Sequence, residues 1–188
     1  MEISIFTKLE KPFFHLSDNQ VMFKKLYEAC CESDSKKFVV MIEGQYCHNK
    51  KGLFREFARK LHFPDYFGYN WDAFNECIND LVWLDADQYV LFIKDFHLIL
   101  ENDEENVEIF LSILDYTVKE WKMGRDYGAL QTPPTPFHIV IYSDKASING
   151  FDVIKSRWKF MVLQMETQND FSSEKRNGLM LPLLFYGF

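Results

Sequence analysis

Pro64-Asp65-Tyr66-Phe67-Gly68-Tyr69-Asn70-Trp71-Asp72-Ala73-Phe74-Asn75-Glu76-Cys77 is the most instructive stretch of this chain. Pro64 ends a preceding helix, because its ring fixes φ and removes a backbone donor. Gly68 permits a tight turn, and Asn70 is a good N-cap, so the stretch predicts a helix from Trp71 to about Asp80 or Leu81. Ala73, Phe74, Cys77, Ile78 and Leu81 recur at helical spacing and face a core. Asp72, Asn75, Glu76 and Asn79 fall on the opposite face, with Asp80 at its margin. Asp72 and Glu76 are like charges at i, i+4, which destabilises an isolated helix by about 0.2–0.5 kcal/mol. The helix dipole favours Asp72 in the first turn and does little for Glu76. Two carboxylates side by side, with no cation within reach along the sequence, suggest a cation arriving from elsewhere.

The charge around this segment is one-sided. From Leu61 to Glu105 there are eleven acids and one base, Lys94, a net of −10, whereas the whole chain of 188 residues carries −7. Such a patch repels itself and projects a negative potential that steers a cationic partner. It also argues against a nucleic-acid binder, which needs Lys and Arg in excess. The four cysteines include one adjacent pair and no CxxC, and the five histidines form no HxxxH or CxxH pair, so no metal or cofactor is expected. Each Cys reads as a small buried hydrophobe in a reducing compartment. No apolar run reaches the ~20 residues of a membrane span. The opening MEISIFTKLEKPFF lacks the basic-then-apolar order of a secretory signal, so the expectation is a mature cytoplasmic protein.

Working outward, Phe38–Gly44, Gln88–Ile93 and Phe137–Tyr142 are β-branched and aromatic runs that read as buried strands. Between them lie an amphipathic helix at Lys51–Leu61, the Trp71 helix and a long helix at Glu104–Trp121. The alternation predicts an α/β fold, a three-stranded parallel sheet layered with helices, over residues 37–143. Residues 1–36 read as an N-terminal extension packed on that domain, with a strand at Ile3–Phe6 and a helix after Ser17-Asp18, capped by the Asp. Gly124–Pro136 is turn-rich and cannot be strand or helix throughout. Residues 144–188 form a C-terminal extension, whose apolar segments Trp158–Met165 and Leu179–Phe185 read as a hairpin or extra edge strands.

Pro64, Asp65, Tyr66, Phe67, Gly68, Asn70, Trp71, Asp72, Ala73, Glu76 and Cys77 together resemble the signature of the barstar family, small bacterial inhibitors that plug the active site of a secreted ribonuclease. The resemblance covers about Lys37–Ser143. It implies an interface rather than a catalyst, with the loop and the Trp71 helix entering a cleft that normally grips RNA phosphate. Tyr66 would pack on the ribonuclease's catalytic His, Gly68 and Asn70 would make close polar contacts, and Asp72 and Glu76 would take the places of substrate phosphates. The implied partner-binding set is Tyr66, Gly68, Asn70, Asp72, Asn75, Glu76, Asn79 and Asp80. The implied partner is a basic extracellular ribonuclease or toxin nuclease domain, with no direct nucleic acid and no membrane. Independently, carboxylates pair with Arg much as phosphate does. The chain departs from the family pattern in having Glu76 where Asp is usual and Asn75 where an aromatic is common. The family's additional acid has two candidates here, Asp115 and Glu108.

Other readings of the acids compete with this one. A general acid/base pair faces its substrate across a cleft, usually from different elements, which two carboxylates on one helix face do not do. Metal ligation would need further oxygen or His ligands, and no E-x-x-H pattern supplies them. A plainly solvated helix face is the main rival. An immunity or adaptor module binding a non-nuclease partner is the alternative function.

Overall fold

The computed structural model describes residues 3–32, 36–127, 130–144 and 160–163. Five strands, β1 (Phe14–Ser17), β2 (Phe38–Glu43), β3 (Tyr89–Lys94), β6 (Phe137–Tyr142) and β7 (Phe160–Val162), form one parallel sheet in the order β2-β3-β6-β1-β7. Two short strands, β4 (Arg125–Tyr127) and β5 (Leu130–Thr132), pair antiparallel inside the turn-rich stretch. The helices are α1 (Gln20–Cys31), α2 (Lys50–Lys60), α3 (Trp71–Asp80) and α4 (Val107–Met123).

The three central strands arise from the apolar runs that predict them, and their side chains alternate between faces with period two. Val40, Leu91, Ile139 and Phe14 stand in one row across the sheet. They belong to the larger core, which α2, α3 and α4 cover. Val90, Phe92, Val140 and Tyr142 face the other way, against Phe23, Leu26 and Cys30 of α1 and against Phe6. The two crossovers from β2 to β3 and from β3 to β6 step in one direction, with their helices on one face. The connection from β1 back to β2 runs in the opposite direction, so the same hand places α1 on the opposite face.

Several expectations need correction. The three expected strands lie side by side in the parallel sheet and the extensions add two more, but β1 is an interior strand between β6 and β7 rather than an edge strand. Ile3–Thr7 is a 3-10 turn rather than a strand, because Phe6 must point down onto the sheet, where it is 1 % exposed. The N-cap of α1 is Asn19, whose Oδ1 accepts from the Met22 amide at 3.0 Å, not Asp18. Of the cysteines, Cys31 is exposed while Cys30, Cys47 and Cys77 are buried. In the C-terminal extension β7 is present, whereas Leu179–Phe185 lies outside the described residues.

β1 brings a buried polar pair with it. His15 and His138 are fully buried, and His15 Nε2 lies 3.0 Å from His138 Nδ1. His138 Nε2 is 2.9 Å from the Lys8 carbonyl. A carbonyl only accepts, so His138 donates there through Nε2 and accepts at Nδ1 from His15 Nε2–H. His15 Nδ1 is left as a buried acceptor without a partner. Phe6 packs edge-on to both rings, at 5.0 and 5.6 Å. Burial, and for His15 the neighbouring His138, pushes the two imidazoles down to about 3 and about 4.

Both rings are therefore neutral in the folded protein and take up protons near pH 6.5 when it unfolds. Their contribution is complete above pH 6.5 and is lost as the pH falls toward 4. Each proton costs about 1.4 kcal/mol per pH unit in that window. Urea unfolding at pH 7, 6 and 5 should show a midpoint that falls steeply below pH 6, and a level profile would contradict a neutral buried pair.

Candidate functional site

The loop before α3 is built around Phe67. Its ring is 4 % exposed and meets Phe54 at 5.9 Å and Phe63 at 5.0 Å, both edge-on. Its amide donates to the Pro64 carbonyl at 2.9 Å, closing the turn that Pro64 begins. With Phe67 pinned inward, its neighbours Tyr66 and Tyr69 are forced out, 75 % and 57 % exposed. Tyr69 takes a positive φ of 50°, which turns the chain into the helix. Asn70 caps that helix, its Oδ1 accepting from the Ala73 amide at 2.9 Å. Its Nδ2 donates to the Gly68 carbonyl at 3.4 Å. A Cβ on Gly68 would come within 3.0 Å of that same amide nitrogen, so the turn has little room for a side chain there.

α3 then lays Phe74, Cys77 and Ile78 into the core. Phe74 meets Phe57 at 5.1 Å and Phe110 at 6.3 Å, and Trp71 meets Phe54 at 4.8 Å while its Nε1 donates to Asn106 Oδ1 at 3.0 Å. The last turn is tied down by α4 and the chain beyond it. Trp121 Nε1 donates to the Ile78 carbonyl at 3.1 Å, and Arg125 donates to the Asp80 carbonyl at 3.3 Å.

Of the eight partner-binding residues expected from the sequence, Tyr66, Gly68, Asn70, Asp72 and Glu76 are exposed. Asn75 and Asp80 are half-buried. Asn79 does not lie on the exposed face. It is 6 % exposed and donates to the carbonyl and the side-chain oxygen of Asn75 at 2.8 and 3.1 Å. Among the described residues no Lys, Arg or His forms an ion pair with Asp72, Glu76 or Asp80. The Tyr66 phenol is pushed above its ordinary value by partial desolvation and by the Cys77 thiol, Asp80 and Glu76, so it sits within the field of the α3 acids. Burial, then Glu76 and Asp80, pushes the Cys77 thiol up to about 11, which keeps it protonated and unreactive.

The two candidates for a further acid both lie on α4. Asp115 is paired with Lys119 at 2.6 Å. Glu108 is exposed on α4 and lines a groove of about 440 Å³ together with Asp72 and Asn75. Ile109 and Tyr116 line the same groove, a role that the sequence reading missed. They belong to an apolar flank, seven residues apart, beside the main buried stripe of α4. Among the described residues no group of three His, Cys, Asp or Glu could hold a metal ion, and no helix is long and apolar enough to cross a membrane.

Residues 37–141 match the family described as Barstar (barnase inhibitor). The chain belongs to the barstar family. No curated protein matches it. Among solved structures, the ORC2 protein of Aeropyrum pernix in its ADP form is similar, with a TM-score of 0.51 and 9 % identity over 85 % of this chain and 44 % of that one. A second structure of that protein, in ADPNP-ADP complexes, covers 86 % of this chain and 43 % of the other at 10 % identity and a TM-score of 0.42. The chain thus spans less than half the length of those proteins, and the first likeness is one of fold. The first likeness reaches beyond the barstar-family segment into the flanking residues. At the β1–α1 junction Ser17-Asp18-Asn19 contains neither glycine nor lysine, so it is not a Gly-rich phosphate cradle.

The cap and the acidic face can be tested separately. Asn70→Ala should lower stability by about 1 kcal/mol through the lost cap, whereas Asn70→Asp, which restores an acceptor and suits the dipole, should recover most of it. Thermal melts of the three proteins check this, and equal losses for Ala and Asp would show that the capping bond is not what holds the turn.

Proposed function

We propose that this barstar-family protein inhibits a ribonuclease or toxin nuclease with a basic active site, which it occludes through the loop and helix Tyr66–Asp80. The observation that carries the reading is the state of Asp72 and Glu76. They are exposed on one face of a rigidly anchored helix, and no cation of the described residues is paired with either. Carboxylates so placed can accept Arg and Lys donors that otherwise bind RNA phosphate. The surrounding −10 segment raises the encounter rate with such a partner. Tyr66, projecting beside the acids, supplies an aromatic surface to cover the catalytic groups.

The protein then acts as a plug and carries out no chemistry of its own, in the cytoplasm of the cell that must be protected from the enzyme. Complexation removes the acids from water only once their cationic partners are in place, so neither carboxylate is buried unpaired at any stage.

RNA cleavage by a panel of basic secreted ribonucleases, barnase among them, should be suppressed by a slight molar excess of the protein. Asp72→Ala and Glu76→Ala should each weaken inhibition of the susceptible enzyme by about ten- to a hundredfold, the scale of a lost hydrogen bond to a charged group. Association should slow as salt is raised from about 0.05 to 0.5 M, because the steering is screened. A panel in which no enzyme is bound or inhibited at low salt would overturn the nuclease reading and leave the adaptor alternative. Unchanged inhibition by both Ala variants would move the site elsewhere.

A further inference from the structure

Two helices on the same side of the sheet carry charge stripes of opposite sign. Residues 36–60 hold seven bases and two acids, a net of +5, immediately before the −10 of Leu61–Glu105. On α2, Lys51, Arg55 and Arg59 recur every fourth residue and are all exposed, on the side away from Leu53, Phe54 and Phe57. On α3, Asp72, Glu76 and Asp80 recur with the same spacing, on the side away from Phe74, Cys77 and Ile78. Each stripe therefore steps its charges about 6 Å apart along its helix. Among the described residues Lys51 and Arg55 form no ion pair, and neither do the three acids of α3. Arg59 is fixed by Glu56, whose Oε2 accepts from its Nε at 3.2 Å and from its Nη2 at 2.7 Å. The Glu56 side chain is 3 % exposed and that of Arg59 62 %, so the guanidinium is anchored from below and keeps further N–H donors for an acceptor in front of it. The two stripes belong to one chain, yet they do not neutralise each other.

We propose that the α2 stripe takes a second copy of this chain, in a two-fold dimer in which Lys51, Arg55 and Arg59 of each copy meet Asp72, Glu76 and Asp80 of the other. Both helices cover the same face of the sheet, so one symmetry axis between them makes the contact twice. Charge complementarity names the occupant, because the two stripes share one spacing and differ in sign. A single exposed ion pair adds little, but six engaged together act as a network. RNA is the other polyanion that a basic stripe could take, and the −10 of the adjoining segment repels it. The dimer covers Asp72 and Glu76, so a nuclease that binds them must first part the two copies. Association of the chain with itself does not depend on the nuclease reading.

Sedimentation equilibrium of the full chain at sub-millimolar concentration should give a mass that rises to two copies and no further. Its dissociation constant should grow at least tenfold between about 0.05 and 0.5 M salt, as screening weakens the exposed pairs. Two double variants carry the test to the residues. Lys51→Glu with Arg55→Glu turns the α2 stripe acidic, and Asp72→Lys with Glu76→Lys turns the α3 stripe basic. Each variant, shown by circular dichroism to be folded, should be monomeric where the unaltered chain is a dimer. An equimolar mixture of the two should form heterodimers, although both variants keep a net negative charge. A monomeric unaltered chain, a dimer indifferent to salt, assemblies larger than two copies, a dimer that survives in either variant alone, or a mixture that stays monomeric overturns the proposal. Binding of an RNA oligonucleotide by the unaltered chain, lost in the α2 variant, would assign the stripe to RNA instead. No nuclease enters these measurements, so a monomeric chain leaves the inhibitor reading standing, and a failure to inhibit any nuclease leaves the dimer standing.

Discussion

An all-parallel sheet must be covered on both faces, and that constraint organises everything else in this protein. Three helices crowd one face of the sheet, and α3 lies among them with Phe74, Cys77 and Ile78 committed to the core. The side of α3 left to water is therefore fixed by packing, and the acids stand on it because no inward position remains. Their mutual repulsion is small beside the burial of Phe54, Phe57, Phe74 and Phe110, each worth roughly 1.5–3 kcal/mol. A stable core thus carries an unfavourable charge arrangement without strain.

The same packing gives the loop its stiffness. Phe67 acts as a rivet between exposed Tyr66 and Tyr69, and the Asn70 cap welds the turn to the helix. A surface that is already ordered loses little conformational freedom when a partner arrives, which is where much of the cost of association otherwise falls.

The central strands were legible because Phe38–Glu43, Tyr89–Lys94 and Phe137–Tyr142 are almost unbroken apolar runs. The loop and helix of the candidate site were legible for a different reason, namely that Pro64, Gly68 and Asn70 each dictate a local backbone geometry in any fold. β1 was hidden because His15 and Ser17 look polar in isolation. Only His138, 123 residues away, turns His15 into a core residue. Asn79 was misplaced because a helical wheel knows its own helix and nothing of the neighbours packed around its last turn. The groove was beyond reach for the same reason, since its walls come from two helices whose juxtaposition is a tertiary fact.

β1 also has a consequence for how the molecule assembles. It is made early, yet its partner β6 is made after α1, α2, α3 and α4, and its other neighbour β7 later still. Until β6 is in place β1 has no strand to join, so the layer of β2, β3 and their helices can consolidate first. Closing a loop of this length is entropically demanding and slow compared with local helix formation. β1 is thus a late guest in its own sheet. The finished sheet is sealed only when β6 and β7 flank it.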